Sequence, residues 1–189
     1  SEMCIRDSYI FAGHTNEASP SADFWLVKTD HQGNVEWQRR YGTEEGDICR
    51  SVQQTEDEGY ILLGSSASSG FLLIKTDYRG NVEWERTFSK GARSEGYCVQ
   101  QTTDGGYILV GNGDFDDDSN IWLIKTDTYG NKEWEKRIGG GYDSGESVLQ
   151  TKDGGYIITG ATWAYCGQDD FCNLWLVKTD SNGNEEWNK

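Results

Sequence analysis

The apolar residues of this chain fall into short runs that recur with a period near fifty residues, which is typical of a repeat architecture. Each full unit has four runs of strand composition, separated by turns rich in Gly, Asp and Asn. The runs lie at 48–55, 59–64, 71–77 and 83–88, at 96–102, 106–111, 121–127 and 133–138, and at 146–151, 155–160, 174–180 and 186–189. Three runs, YIFAG, FWLVKTD and EWQRRY, precede them. The pattern predicts fifteen strands and no helix.

The four runs of a unit differ in how their apolar residues are spaced. The second and third runs, such as YILLG and FLLIKTD, are continuously apolar, which indicates strands buried on both faces. The first and fourth, such as SVQQT and EWERTF, alternate between apolar and polar residues. Strands of a sandwich would alternate throughout, whereas a blade stacked between two blades has a fully buried middle. We therefore predict an all-β fold, a β-propeller made of four-stranded antiparallel blades.

The unit boundaries predict an incomplete blade over 9–41 and full blades over 46–88, 96–138 and 145–189, about 3.75 blades in all. The first blade lacks its innermost strand. Propellers have roughly four to eight blades, so we expect an open arc or a fragment of a larger propeller. Residues 1–8 match nothing else in the chain, and we treat them as a linker-like, non-native lead.

The phrase KTDxxGNxxW occurs four times, beginning at Lys28, Lys75, Lys125 and Lys178. Its Asp can accept hydrogen bonds from the turn backbone, and its Gly can adopt the left-handed conformation that reverses the chain. Each Trp then opens the outer strand, where we expect it to be buried against the next blade. We interpret the phrase as a structural hairpin.

Together with SVQQTxDGGYIxxG, this phrase resembles a repeat of secreted and surface-attached bacterial and archaeal β-propeller proteins, over residues 9–189. It is more distantly similar to the motifs of quinoprotein-type and Asp-box propellers, whose spacings differ. The resemblance implies the fold and an extracellular or cell-surface location, and it says little about activity. A quinone cofactor would need ring-stacking and calcium-binding groups that we do not find in the sequence.

Charge narrows the range of partners. The chain has 32 acidic and 17 basic residues, for a net charge of −15. This field repels phosphate backbones and anionic lipid, so we predict no nucleic-acid partner. No apolar run is long enough for a membrane-spanning helix, so we predict no membrane insertion. The linear pattern carries no sign of a homo-oligomer.

The predicted connections differ between the two edges of the blades. Strand 1–2 and strand 3–4 turns are short and uniform, whereas strand 2–3 and strand 4–1 loops vary and share the other edge. Such variation on a rigid scaffold is typical of a binding surface, here for a glycan or protein ligand, although the loops could simply tolerate change. Our candidate ligand-binding residues are Tyr142, Trp163, Tyr165, Asp169 and Asp170. Cys166 and Cys172 could close the longest loop with a disulfide in an oxidising compartment.

One of these loops, at 113–120, is strongly acidic. Asp114, Asp116 and Asp118 alternate along it and could converge on one calcium ion, although a solvated acidic loop is the alternative. We therefore expect no cofactor, and calcium at this loop is the alternative.

Catalytic candidates are few. His14 and His31 fall on opposite edges, and no nucleophile–base pair is identifiable. Rim carboxylates leave a two-carboxylate glycosidase open, because their separation in space decides that chemistry. These carboxylates are Glu44, Glu45, Asp47, Glu95, Asp143 and Glu146. Our leading hypothesis is a non-catalytic extracellular scaffold or recognition module, and the alternative is an endoglucanase-like glycan hydrolase.

Overall fold

The computed structural model describes residues 8–15, 22–43, 46–67, 70–91, 94–115, 118–162 and 173–189. These residues form fifteen β-strands. The first seven are β1 Tyr9–His14, β2 Phe24–Thr29, β3 Val35–Tyr41, β4 Asp47–Gln54, β5 Tyr60–Ser66, β6 Gly70–Thr76 and β7 Val82–Phe88. The others are β8 Glu95–Gln101, β9 Tyr107–Phe115, β10 Asp118–Thr126, β11 Lys132–Ile138, β12 Asp143–Gln150, β13 Tyr156–Thr162, β14 Asn173–Thr179 and β15 Glu185–Asn188. None of the described segments is a helix that could cross a membrane.

The strands form one three-stranded and three four-stranded antiparallel sheets, each a meander of sequence neighbours. We call them blade 1 (β1–β3), blade 2 (β4–β7), blade 3 (β8–β11) and blade 4 (β12–β15). The first strand of each full blade packs on the blade before it: β8 packs on β5, β12 packs on β9, and β4 packs on β1, which is the strand of blade 1 equivalent to β5 and β9. The fold is thus a β-propeller of four-stranded blades, as predicted. In the described ranges, blade 1 does not pack on blade 4 as neighbouring blades do, so the stack of blades is open.

Burial follows the spacing of the apolar residues. β5 and β6 are buried along nearly their whole length, whereas β7 alternates between exposed and half-buried positions. Three hydrophobic clusters form the core, and each one joins residues of two successive blades. Continuous apolar runs are buried on both faces because each middle strand meets a neighbouring blade on either side.

The KTDxxGNxxW hairpins have the expected geometry. The Asp77 carboxylate accepts hydrogen bonds from the backbone N–H groups of Arg79 and Asn81, at 2.8 Å each. Gly80 has a φ of 77°, which favours glycine. A Cβ at Gly80 would also lie 3.0 Å from the Trp37 ring of the preceding blade. Trp37 of blade 1 packs edge-on against Tyr60 of blade 2, with 5.8 Å between ring centroids. We call this arrangement the Trp–Tyr–Gly contact. The Trp is half-buried rather than fully buried.

Each full blade also holds a buried lysine between two carboxylates. Lys75 Nζ lies 2.8 Å from Asp57 and 2.9 Å from Glu83, and it donates to the carbonyl of Thr76 at 3.0 Å. Lys125 and Lys178 repeat the arrangement with their own blades' Asp and Glu. This arrangement explains the Lys of KTDxxGNxxW and the Asp of SVQQTxDGGYIxxG, because a buried ammonium needs paired charges and acceptors.

The repeated glutamines join the innermost strands of neighbouring blades. Gln53 accepts a hydrogen bond from the backbone N–H of Gln101 at 2.7 Å, and Gln101 accepts one from that of Glu56 at 2.9 Å. Blades 3 and 4 repeat this exchange through Gln100 and Gln150. The QQ pair is therefore an interblade connection.

Candidate functional site

Two adjoining cavities open on the edge that carries the variable loops. The first, of about 420 Å³, lies between blades 2 and 3 and is lined by Gly46, Ile48, Ser65, Ser66, Ala67, Ser94, Glu95, Asn112 and Ser119. The second, of about 370 Å³, lies between blades 3 and 4 and is lined by Asn112, Ser119, Tyr142, Asp143 and Ser144. Asn112 and Ser119 belong to both. We call the two together the rim cleft.

The shared wall of the rim cleft is the β9–β10 hairpin, which is longer than the equivalent hairpin of blade 2. β9 and β10 have nine residues each, against seven in β5 and β6. Asn112 pairs with Ile121 in the ladder, and its side chain accepts a hydrogen bond from the backbone N–H of Gly145 at 3.3 Å. The amide of Asn112 thus ties blade 3 to blade 4 at the wall of the cleft.

Glu95, the first residue of β8 in blade 3, lines the first cavity, where it faces blade 2. Its carboxylate accepts a hydrogen bond from the Tyr97 hydroxyl at 2.7 Å and pairs with Arg50 at 3.3 Å. The Arg50 guanidinium also lies over the Tyr97 ring, 4.8 Å from its centroid. Burial, followed by this hydrogen bond to Glu95, raises the pKa of Tyr97 above its usual range. These contacts fix the orientation of Glu95 before any ligand arrives.

Asp143 contributes a second carboxylate, and its role in the fold is to cap the preceding loop. One of its oxygens accepts hydrogen bonds from the backbone N–H groups of Gly140 and Gly141, at 3.0 and 3.3 Å. In the equivalent loop before β8, the Ser94 hydroxyl accepts a hydrogen bond from the backbone N–H of Lys90. The other oxygen of Asp143 is buried without a hydrogen-bond partner in the described part of the chain. Asp47 of blade 2 is placed in the same way, with one oxygen accepting from the N–H of Thr43 and the other buried without a hydrogen-bond partner among the described residues.

Tyr142 is the predicted ligand-binding residue that the structure describes, and it borders the second cavity with 55% of its surface exposed. Trp163, Tyr165, Asp169, Asp170, Cys166 and Cys172 lie outside the described residues, so the rest of that prediction stays a prediction. Sequence reasoning missed Asn112 and Ser119. The signal that could have found them is the length of the segment between the second and third apolar runs of blade 3.

The candidate calcium loop is a strand hairpin rather than the loop expected over 113–120. Asp114 ends up in β9 opposite Ser119, and Asp118 starts β10 opposite Phe115, so the two occupy successive rungs of the ladder. The backbone N–H of Asp114 donates to the carbonyl of Lys90 at 2.8 Å. Asp116 lies outside the described residues. Among those that are described, no group of three or more His, Cys, Asp or Glu residues is placed to hold a metal ion.

The opposite edge carries cavities as well, but repeated contacts of the fold line them. One, of about 510 Å³, is lined by residues of the TxDxG turns and by Gln53 and Gln101 of the glutamine connection. Another, of about 500 Å³, includes Lys75 with both of its carboxylate partners. Because blades 3 and 4 contain the same groups in the same roles, we assign this edge to the architecture.

Comparison with known proteins supports the fold and leaves the chemistry open. No family model and no curated protein sequence matches the chain. Among solved structures, the chain is similar to a protein of unknown function from Bacteroides caccae, with a TM-score of 0.53 and 11% identity over 93% of this chain and 77% of the other. It is also similar to an α-L-arabinofuranosidase from Clostridium thermocellum, with a TM-score of 0.52 and 9% identity over 94% of this chain and 68% of the other.

Proposed function

We propose that this propeller is a recognition module that binds a glycan in the rim cleft, at the surface of the cell or outside it. The observation that carries the proposal is the pair of adjoining cavities that share Asn112 and Ser119, on the edge where the loops vary. A concave site with an exposed aromatic ring and a few fixed polar groups is the usual form of a small-ligand site.

The chemistry of the rim cleft suits a sugar. Asn112 offers an amide, Ser119 and Ser144 offer hydroxyls, and Glu95 offers a carboxylate acceptor. Tyr142 adds an exposed apolar ring face against which a pyranose or furanose ring can pack. The chain's negative field disfavours strongly anionic ligands, so we expect a neutral glycan.

A glycan-array screen, followed by affinity measurements with the best ligand, tests this proposal. Tyr142→Ala should weaken binding about tenfold, the equivalent of about 1.4 kcal/mol. The matched control is Tyr129→Ala, which removes an exposed tyrosine in a turn on the opposite edge and should leave the affinity unchanged. Equal affinities for wild type and Tyr142→Ala would show that the rim cleft is not the site.

A second candidate function, glycan hydrolysis, rests on Glu95 and Asp143, which line the two halves of one cleft. Glycosidases use two carboxylates whose separation sets the mechanism, and the similar Clostridium thermocellum structure is an arabinofuranosidase. Turnover assays on the bound polymers distinguish the two functions. Binding without reducing-end release supports the recognition module. Release that is abolished in both Glu95→Gln and Asp143→Asn supports the hydrolase.

A further inference from the structure

The two cavities of the rim cleft differ in the group that each one presents to a ligand. Of these two described residues, Glu95 lines the first cavity alone and Tyr142 lines the second alone. The side chain of Glu95 is 46% exposed, and 55% of the Tyr142 surface is exposed. We call the first cavity the carboxylate half of the rim cleft and the second cavity the aromatic half.

Each half is large enough for a sugar ring of its own. The volumes of about 420 and 370 Å³ both lie within the range of roughly 300–1,000 Å³ that is usual for small-ligand sites. A ring packed on Tyr142 lies in the aromatic half, across the shared wall of Asn112 and Ser119 from Glu95. Filling both halves therefore requires a ligand with two rings.

The wall between the two halves suits the linkage between two sugars. The side-chain oxygen of Asn112 accepts the hydrogen bond from Gly145, which leaves the amide nitrogen of Asn112 as the group that can donate to a ligand. Ser119 lines the same two cavities and adds a hydroxyl that both donates and accepts. A glycosidic oxygen accepts a hydrogen bond, and the sugar hydroxyls next to it donate and accept. An amide donor and a hydroxyl are therefore suitable partners for a linkage at this wall.

Glu95 sets the chemistry of the sugar in the carboxylate half. An ionised carboxylate accepts hydrogen bonds and cannot donate them, and the contacts with Tyr97 and Arg50 hold this one in place. A sugar beside Glu95 must therefore present hydroxyl groups that are free to donate. A carboxylate or sulfate group on that sugar would meet a like charge.

We infer that the ligand of the rim cleft is a neutral oligosaccharide of at least two sugar units, an inference that rests on the proposed function. One ring packs on Tyr142, the hydroxyl groups of the next unit donate to Glu95, and Asn112 and Ser119 lie at the linkage between the two units. The rim cleft therefore discriminates between glycans by their length.

Calorimetric titration with the monosaccharide and the disaccharide of the best glycan from the array tests the inference. The disaccharide should bind wild type at least tenfold more tightly, the equivalent of about 1.4 kcal/mol, because only the disaccharide fills both halves. Glu95→Gln keeps the size of the side chain and removes the charge that strengthens its hydrogen bonds, so it should weaken disaccharide binding about tenfold. Glu85→Gln, the same change at an exposed position of β7, is the matched control and should bind like wild type. Far-UV circular dichroism checks that each variant is folded.

The monosaccharide distinguishes one ring from two. It occupies one half at a time, so at most one of Glu95→Gln and Tyr142→Ala should weaken its binding, whereas both should weaken binding of the disaccharide. A monosaccharide that binds as tightly as the disaccharide, or that both variants weaken, would overturn the inference and leave the proposed function standing. Disaccharide binding that Tyr142→Ala weakens and Glu95→Gln leaves unchanged would do the same. If Tyr142→Ala changes the affinity for neither ligand, the rim cleft is not the site and both proposals fail.

Discussion

Blade 1 and blade 2 have nearly the same sequence phrases, yet their equivalent residues lie in different environments. Tyr60 and Leu62 of blade 2 are 2% and 0% exposed, whereas Tyr9 and Phe11 at the same positions of blade 1 are half exposed. Lys75 lies within 2.9 Å of two carboxylates, whereas Lys28 pairs within the described residues with Glu36 alone, at 3.9 Å. Two contacts make the difference: Tyr60 and Leu62 lie in one core cluster with Phe24 and Leu26 of blade 1, and the TxDxG turn of blade 2 brings Asp57 to Lys75. The neighbouring blade thus covers the apolar face, and the blade's own first turn supplies the aspartate that pairs with the lysine.

The comparison teaches that a blade of this propeller is completed by two kinds of contact, one from the preceding blade and one within its own sheet. The core cluster of Tyr60 and Leu62 includes Phe24 and Leu26 of blade 1, and Asp57 in the turn between β4 and β5 reaches the lysine at the end of β6. Blade 1 keeps its hairpin, because the Asp30 turn is bonded like the others. The hairpin is thus a local structure, whereas the buried lysine depends on the whole sheet and the covered face on the neighbouring blade.

The largest difference between the blades should appear in the apolar positions. Leu62→Ala removes a fully buried side chain and should lower the free energy of unfolding by about 3–4 kcal/mol. Phe11→Ala, at the equivalent position of blade 1, should cost about 1 kcal/mol or less, because that side chain is already half exposed. Urea unfolding of both variants at low protein concentration is the measurement. Comparable losses would mean that Phe11 is covered in solution.

A smaller difference is expected at the lysines. Lys75→Met removes the ammonium between Asp57 and Glu83, leaving two facing carboxylates without a cation, and should cost about 1–2 kcal/mol. The loss stays below that of a fully buried ion pair because both carboxylates are near the surface. Lys28→Met, the matched control, should change the free energy of unfolding by less than about 0.5 kcal/mol. A Lys28→Met variant as unstable as Lys75→Met would refute the role of Asp57 in stabilising blade 2.

The smallest expected effect is a pH dependence that blade 1 lacks. Burial alone would raise the pKa of Asp104, but hydrogen bonds from the Thr102 hydroxyl and the Lys125 ammonium lower its pKa to about 2. Because this value is below the roughly 3.9 of an unfolded aspartate, the stabilisation is complete above about pH 4. It is lost as the pH falls towards 2.

Urea unfolding of wild type and Asp104→Asn between pH 2 and pH 7 isolates this carboxylate, since the other carboxylates contribute equally to both proteins. The variant should be less stable at pH 7, and the two free energies of unfolding should converge near pH 2. A difference that stays constant over the whole range would mean that the Asp104–Lys125 pair adds nothing to stability.

Local sequence determined the strands and the hairpins, and it indicated that each blade is covered on both faces. Asp77 and Gly80 specify their turn through contacts within a few residues, and the continuous apolar run of β6 requires a neighbour on both faces. These features repeat every fifty residues, so the period made them visible. The position of β9 and β10 was less clear, because GDFDDDSN has loop composition although ladder pairing extends through most of it.

Only the tertiary structure decided where the candidate site lies and which contacts complete a blade. Asn112 and Tyr142 are thirty positions apart, and they border one cavity because β12 packs on β9. Lys75 meets Asp57 from another strand connection, and Trp37, Trp84 and Trp134 each pack against a tyrosine of the following blade. Such contacts join segments that have no local reason to meet. They depend on how twisted sheets stack side by side, and a linear pattern of apolar and polar residues does not specify that distance or angle.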